Sequence, residues 1–342
     1  MKKRVLHILA SNSYSGAENV VCTIIDNCSD KYNMYYCSPD GPIKEVLKKR
    51  NIKFIPLKRL SILNLKKIIK DYNIDIIHAH DYKASTISVF LNTKTISQLH
   101  CDYNLLWCKK IVALIYSIVQ KKFERIVVVS KEILENATFK NKITDKVVVL
   151  NNVVDPKVII DKAQEFDTKK YDLIFIGRLI PLKQPLLFID IVSKLKENNH
   201  NIKACIIGDG ELYQECNNKI NTLNLENNIE LLGFKNNPFP YVRNSKIAIL
   251  PSLYEGLPMS VIECMILGTI VLNSGVGGLN DIFKYYPKYI CKNIDEYVDK
   301  AKELLNVDKN TYKDDCNKMI KNYTDIGEYK KKVLRLYKEV LK

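Results

Sequence analysis

Glu255 and Glu263 stand with seven residues between them in the otherwise apolar stretch SLYEGLPMSVIECMILGTIVLNSGVGG, residues 252–278. A carboxylate left unpaired beside a hydrophobic core is costly, so each is expected to meet a partner or a ligand. Gly256 frees the backbone after the first, and Pro258 suits the first position of a helix. Glu255 is therefore predicted in the loop and Glu263 about five residues into the helix, off any shared helical face. They are expected to reach two parts of one ligand, and a carboxylate accepting from a vicinal diol is a common way to hold a ribose. Helix capping by one and exposure of the other is the ordinary alternative. Cations come from GRLIPLKQ, residues 177–184, after a tight exit at Gly177. The fork of Arg178 and the ammonium of Lys183 beside a helix start suit a pyrophosphate, although arginine and lysine on a loop are more often simply solvated.

Two glycine clusters complete the set. GDGEL, residues 208–212, opens with Gly208 and has the spacing of neither a P-loop nor a dinucleotide fingerprint. Its glycines are expected to turn the chain beside a bound base. NSGVGG, residues 273–278, would let backbone N–H groups approach a ligand, or make an ordinary turn.

These residues need a scaffold. Short apolar runs alternate with amphipathic stretches, the pattern of βαβ units around parallel sheets. Strands are predicted at Val5–Leu9, Tyr35–Cys37, Ile74–His78, Thr95–Leu99, Ile126–Val129 and Val147–Leu150. After a charged stretch at 154–172 the pattern restarts at Leu173–Ile176, Lys203–Ile207, Ile229–Leu232, Ile247–Leu250 and Thr269–Leu272. A chain of 342 residues is long enough for two cores. The fold class is α/β, with two doubly wound domains facing a central cleft. Every motif above follows a predicted strand, and ligands of such sheets bind beyond the strands' carboxyl ends.

Composition removes several classes. The apolar run Val5–Ala10 is too short for a secretory signal, and Ile111–Val119 is far short of a membrane span. Ten scattered cysteines without a CxxC pair predict reduced thiols in a cytoplasmic protein and no zinc site. No Asp-x-Asp occurs, so a diphosphate held by a metal is not expected, and no cofactor is assigned. The net charge is +15; residues 1–170 hold 29 Lys and Arg against 17 Asp and Glu, and residues 171–342 hold 24 against 21. An anionic partner should therefore meet the first half, if the basic surface is more than a solvated face. A nucleic-acid-binding protein is a distant reading, since the charge is dispersed and no recognition signature is present.

Taken jointly, GRLxxxK, GDGEL, E-x7-E and the GxGG turn resemble the donor-binding domain of family-4 retaining glycosyltransferases of the GT-B fold. The resemblance continues through SGAENVV at 15–21, HAHDYKAS at 78–85 and VVVSKEILENA at 127–137, and so covers nearly the whole chain. It implies an acceptor-binding Rossmann-like domain over 1–165, a nucleotide-sugar-binding one over 166–325, and a helix at 326–342 packing back on the first. It assigns Arg178 and Lys183 to the donor diphosphate and Glu263 to the ribose. Glu255 would face the donor sugar with backbone groups of Gly256 and Leu257, and Gly177 and Gly208 would line the donor site. Gly16 would lie near the diphosphate, and His100 would approach the reacting sugar. His78 and His80 rank behind it, because a histidine near a strand end is more often structural. Two departures stand out: SGAEN where GGAER is usual, and Val153 where the pattern NGVD has glycine.

The implied reaction is transfer from a nucleotide diphosphate sugar, UDP favoured, to a glycan or lipid-linked acceptor, with the anomeric configuration kept and no metal. No nucleophile is evident, which suits a same-face displacement. A non-hydrolysing nucleotide-sugar epimerase shares this fold and is the competing reading, but no persuasive acid/base carboxylates can be placed in the first domain. The segment LLWCKKIVALIYSIVQKKFER, residues 105–125, flanks an apolar run with lysine pairs. It is a candidate for leaning on an anionic membrane surface, a core helix with a basic outer face being the alternative.

Overall fold

The computed structural model describes residues 2–14, 16–100, 110–131, 133 and 144–342. The chain forms two compact units, residues 1–153 with 325–342, and residues 154–324. The first crossing thus falls at Val153–Val154, and the helix Pro156–Ala163 belongs to the second unit. Asp155 starts that helix by accepting from the Lys157 amide, with Pro156 in the first turn where its missing N–H costs nothing.

Among the described residues the first unit holds strands β1 (Arg4–Leu9), β2 (Asn33–Pro39), β3 (Phe54–Leu57), β4 (Ile76–His80), β5 (Lys94–Leu99), β6 (Arg125–Val128) and β7 (Val147–Val149). They form one parallel sheet in the order β3-β2-β1-β4-β5-β6-β7. Alternation along β1 divides the core. Val5 and Leu9 pack with the helices Gly16–Cys28 and Ile326–Leu341, while Leu6 and Ile8 pack with the helix Ile62–Tyr72 on the other face. The terminal helix is capped by Asp325, which accepts from the Glu328 amide, and buries Tyr329, Val333, Leu336, Tyr337 and Val340.

The second unit holds β8 (Tyr171–Ile176), β9 (Ala204–Ile207), β10 (Ile229–Gly233), β11 (Ser245–Leu250) and β12 (Ile270–Asn273), parallel in the order β10-β9-β8-β11-β12. Both units are doubly wound, as the sequence predicts. The strand order reverses between β1 and β4 in the first sheet and between β8 and β11 in the second. A crevice at the carboxyl ends of those strands is where such sheets bind ligands.

Candidate active site

In the second unit the reversal point lies between the exit of β8, which carries Gly177, Arg178 and Lys183, and the exit of β11, which carries Glu255. The predicted cation and carboxylate meet there: Lys183 Nζ sits 2.5 Å from Glu255 Oε1. Glu255 is buried, Lys183 less so, and the Ser252 hydroxyl donates to the same carboxylate at 2.7 Å. The sequence reading assigned these two groups to different parts of a ligand; the structure pairs them with each other. Arg178 is exposed, and its guanidinium has no side-chain partner among the described residues. Lys183 closes a short 3₁₀ turn, Pro181–Lys183, and the Leu253 amide donates to the Leu182 carbonyl at 2.9 Å, tying the two exits together.

The glycine clusters turn out to serve neighbouring loops. Gly208 has φ +150°, and a Cβ there would stand 1.8 Å from the Gly177 carbonyl oxygen. The GDG turn thus lies directly against the GRL turn, and the Leu179 amide donates to the Asp209 carbonyl. Gly277 has φ +60°, and a Cβ there would stand 1.7 Å from the Glu255 carbonyl oxygen. The Gly278 amide donates to that same oxygen at 2.9 Å, and the Gly275 amide to the Asn273 side chain. Of these two N–H groups, expected to point at a ligand, the first holds the loop of Glu255 in place and the second closes a turn at the end of β12. Gly256 and buried Leu257 follow Glu255 in that loop, and Pro258 caps the helix Met259–Ile266 rather than opening its first turn.

Glu263 lies on that helix, half-buried, eight residues after Glu255. Desolvation pushes its carboxyl up to about 7, with Lys162 of the helix Pro156–Ala163 pulling the other way.

In the first unit Gly16 opens the helix Gly16–Cys28 and is exposed, with nothing within 4 Å of the position of an added Cβ. His100 follows β5 directly; its Nε2 lies 3.1 Å from His80 Nδ1, and burial lowers it to about 4. Asp81, at the exit of β4, was not singled out by sequence. It holds φ +97°, a strained value for a residue with a Cβ. Its carboxylate accepts from the Ala84 amide, capping the helix Tyr82–Ser88, and from the Ala10 amide beyond β1 at 3.0 Å. Burial pushes that carboxyl up to about 6. The signal for it was the position itself, an aspartate where a central strand ends at the reversal point.

The segment at 105–125 begins outside the described residues, and residues 132 and 134–137 of the VVVSKEILENA stretch lie outside them as well. The described part of the 105–125 segment opens with the helix Lys110–Val119 and runs on through the 3₁₀ turn Gln120–Lys122. The helix's outer face is apolar rather than basic: Leu114 is 63% exposed and Ile118 70%, while Lys121 and Lys122 follow at its end. Phe90 is exposed beside them, with Lys122 over its ring. Among the described residues no helix is long and apolar enough to cross a membrane.

Two family models match: Glycosyltransferase Family 4 over residues 14–158 and Glycosyl transferases group 1 over residues 157–325. An uncharacterized glycosyltransferase of Methanocaldococcus jannaschii, MJ1059, is 31% identical over 258 residues, covering 66% of this chain; the chain spans 62% of that relative's length. An Escherichia coli UDP-Gal:alpha-D-GlcNAc-diphosphoundecaprenol alpha-1,3-galactosyltransferase is 25% identical over 322 residues, covering 83% of this chain and 82% of its own. Among solved structures, Anabaena HepE in complex with UDP and glucose superposes with a TM-score of 0.84 at 15% identity, over 98% of this chain and 99% of that one. That likeness shows the two-domain GT-B architecture.

Proposed function

The chain belongs to the family-4 glycosyltransferases of the GT-B fold, and on that footing we propose that it moves a sugar from a nucleotide diphosphate, UDP foremost, to a glycan or lipid-linked acceptor in polysaccharide assembly. The observation that carries this reading is the Lys183–Glu255 pair at the reversal point of the second sheet, with Arg178 free on the same exit. A cation–carboxylate pair waiting there can exchange one another for ligand groups. Lys183 turns to the diphosphate and joins Arg178; the Glu255 carboxylate, still held by Ser252, accepts from hydroxyls of the sugar. In this reading backbone groups of Gly256 and Leu257 serve the same sugar, and Gly177 and Gly208 line its approach.

The bond from the anomeric carbon to the diphosphate oxygen breaks while the acceptor oxygen bonds to the same face of that carbon. The departing phosphate takes the acceptor's proton, so configuration is retained and no protein nucleophile is needed. Negative charge grows on the diphosphate as the bond breaks, so cations aimed at it stabilise the transition state more than the ground state. Arg178 and Lys183 fill the place a metal holds in other glycosyl transfers. The Escherichia coli relative, named for transfer onto a diphosphoundecaprenol-linked sugar, supports a lipid-linked acceptor, and the UDP in the HepE complex supports UDP.

A thermal-shift screen of UDP- and GDP-sugars tests the donor. A cognate donor at 100 times its dissociation constant adds about 2.7 kcal/mol of stability, and no shift with any of them would sink the reading. Incubation without acceptor separates it from the epimerase, which would interconvert the sugars.

Glu263 supplies a second test. As a ribose-binding carboxylate it contributes charge-assisted bonds of about 1.5–3 kcal/mol, so Glu263→Ala is expected to weaken donor binding roughly 10- to 100-fold. With its carboxyl at about 7 in the unliganded protein, only about a tenth is ionised at pH 6 and about nine tenths at pH 8. Donor affinity of the wild type is therefore expected to rise between those two values and that of the variant to stay level. Calorimetric titration at both pH values decides; equal slopes remove Glu263 from the site.

The exposed Leu114 and Ile118 beside Lys121 and Lys122 place an amphipathic ridge on the acceptor-binding unit, and we assign it to the anionic inner face of the cytoplasmic membrane. Apolar side chains enter the headgroup boundary while each lysine near the surface adds about 1 kcal/mol. Ile118→Glu is expected to reduce co-sedimentation with anionic vesicles several-fold, and raising salt to do the same for the wild type. Binding indifferent to both would place the enzyme off the membrane.

A further inference from the structure

One face of the first sheet carries imidazoles where apolar residues would be ordinary. His7 on β1 lies in register with His78 on β4, and His80, two residues on, lies in register with Gln98 of β5. His100 follows Gln98 by two, so the four histidines share a face. His7, His78 and His80 have no exposed surface, a costly place for polar rings without partners. Three of them are joined end to end. His7 Nδ1 lies 3.0 Å from His80 Nε2, and His80 Nδ1 lies 3.1 Å from His100 Nε2. The rings stack at centroid distances of 5.3 and 5.4 Å. His78 stands beside this chain, its Nδ1 held by the Tyr337 hydroxyl at 2.9 Å. The outer nitrogens, His7 Nε2 and His100 Nδ1, have no partner among the described residues.

Burial keeps the rings neutral, lowering His7 to about 3 and His80 well below its ordinary value. A neutral imidazole carries one N–H. Two links among three such rings are then satisfied in just two ways. Either every ring is protonated on Nδ1, or every ring is protonated on Nε2. Any mixture leaves one link with two protons or with none. In the first arrangement His100 offers an N–H donor at Nδ1, and in the second a bare acceptor. The matching opposite change occurs at His7 Nε2.

We propose that His80 and His7 are positioning residues that fix the tautomer and ring plane of His100, a role that rests on reading His100 as the histidine of the transfer reaction. His100 Nδ1 is buried, so a ligand group meets it only when the side chains around it part; an acceptor arriving there selects the all-Nδ1–H chain, and a donor selects the other. The three rings therefore respond to ligand as one unit. The ligand nitrogens of His7, His78 and His80 lie within 4.8 Å of one another, a spacing that a metal ion could bridge. Both nitrogens of His80 are engaged in the chain, and no carboxylate stands in that trio to balance a dication.

The first test needs no substrate. In the full chain labelled with ¹⁵N-histidine, two-bond correlation spectra at pH 7 are expected to show His7, His80 and His100 as the same tautomer. Different tautomers among the three, a charged ring, or a shift pattern showing metal ligation would overturn the proposal. The second test is catalytic. His80→Gln keeps a donor and an acceptor, whereas His80→Leu keeps neither. Turnover is expected to fall about 10- to 100-fold in the leucine variant at nearly unchanged donor KM, with glutamine recovering most of it. Equal turnover in both variants overturns the positioning role. A wild type inert toward every nucleotide sugar would instead refute the transferase reading, and the spectra alone would still decide whether the rings are coupled.

Discussion

Lys183→Ala is expected to lower turnover about 10²- to 10³-fold, the usual scale for removing one preorganised group aimed at developing charge. It is also expected to destabilise the second unit by about 3 kcal/mol, for a different reason. Glu255 is 5% exposed and Lys183 21%, so the variant leaves a carboxylate buried with the Ser252 hydroxyl but no cation. Breaking such a pair from one side typically costs about 3–5 kcal/mol, and the partial exposure of Lys183 argues for the lower end. The two effects separate in the double variant Lys183→Ala, Glu255→Gln. Glutamine removes the stranded charge, so urea unfolding should return most of the lost stability. Turnover should stay low, because neither the cation for the diphosphate nor the carboxylate for the sugar is restored. Full turnover in Lys183→Ala would show the pair to be a structural strut. Stability and turnover recovering together in the double variant would show that the single variant had merely loosened the loop.

The strands of both sheets were legible because buried parallel strands read as short apolar runs, and such runs placed eleven of the twelve described. The one missed, β3, is four residues long and contains Pro56. It lies at the sheet edge, where a residue without an N–H is tolerated, so its sequence lacks the signature of an inner strand. The order of motifs was legible for the same reason: each sits where a strand ends. Contacts between motifs were not. Lys183 and Glu255 are 72 residues apart, and nothing in either segment reveals that the exits of β8 and β11 are neighbours until the strand order is known. The role of Gly277 was hidden likewise, since the atom its missing Cβ spares belongs to Glu255. The histidine chain was half visible. His78 and His80 stand two apart in a strand and so share a face, but their meeting with His7 and His100 depends on register across three strands.

That chain should make the first unit fail in acid before the second. An imidazole whose pKa is lowered by burial binds its proton in the unfolded state and not in the folded one. Its contribution is therefore complete above the unfolded value of about 6.5 and is lost as pH falls below it, at about 1.4 kcal/mol per pH unit. His7 falls to about 3 and His100 to about 4, so both remain largely unprotonated in the fold at pH 5, and burial lowers His78 and His80 in the same direction. His7 and His100 together then remove about 4 kcal/mol, a large share of the stability of a domain, and His78 and His80 act in the same direction. Asp81 opposes them, since an acid raised to about 6 gains stability as pH falls through that value, but it offsets at most about one imidazole. The second unit carries one histidine, His200, and it is exposed; Glu263, at about 7, gains stability as pH falls. Amide hydrogen exchange followed from pH 7.5 to 5, corrected for intrinsic rates, should show protection collapsing in residues 2–100 and 325–342 while residues 171–305 hold. If both units keep parallel protection over that range, the imidazoles are not the neutral, desolvated chain that their hydrogen bonds describe.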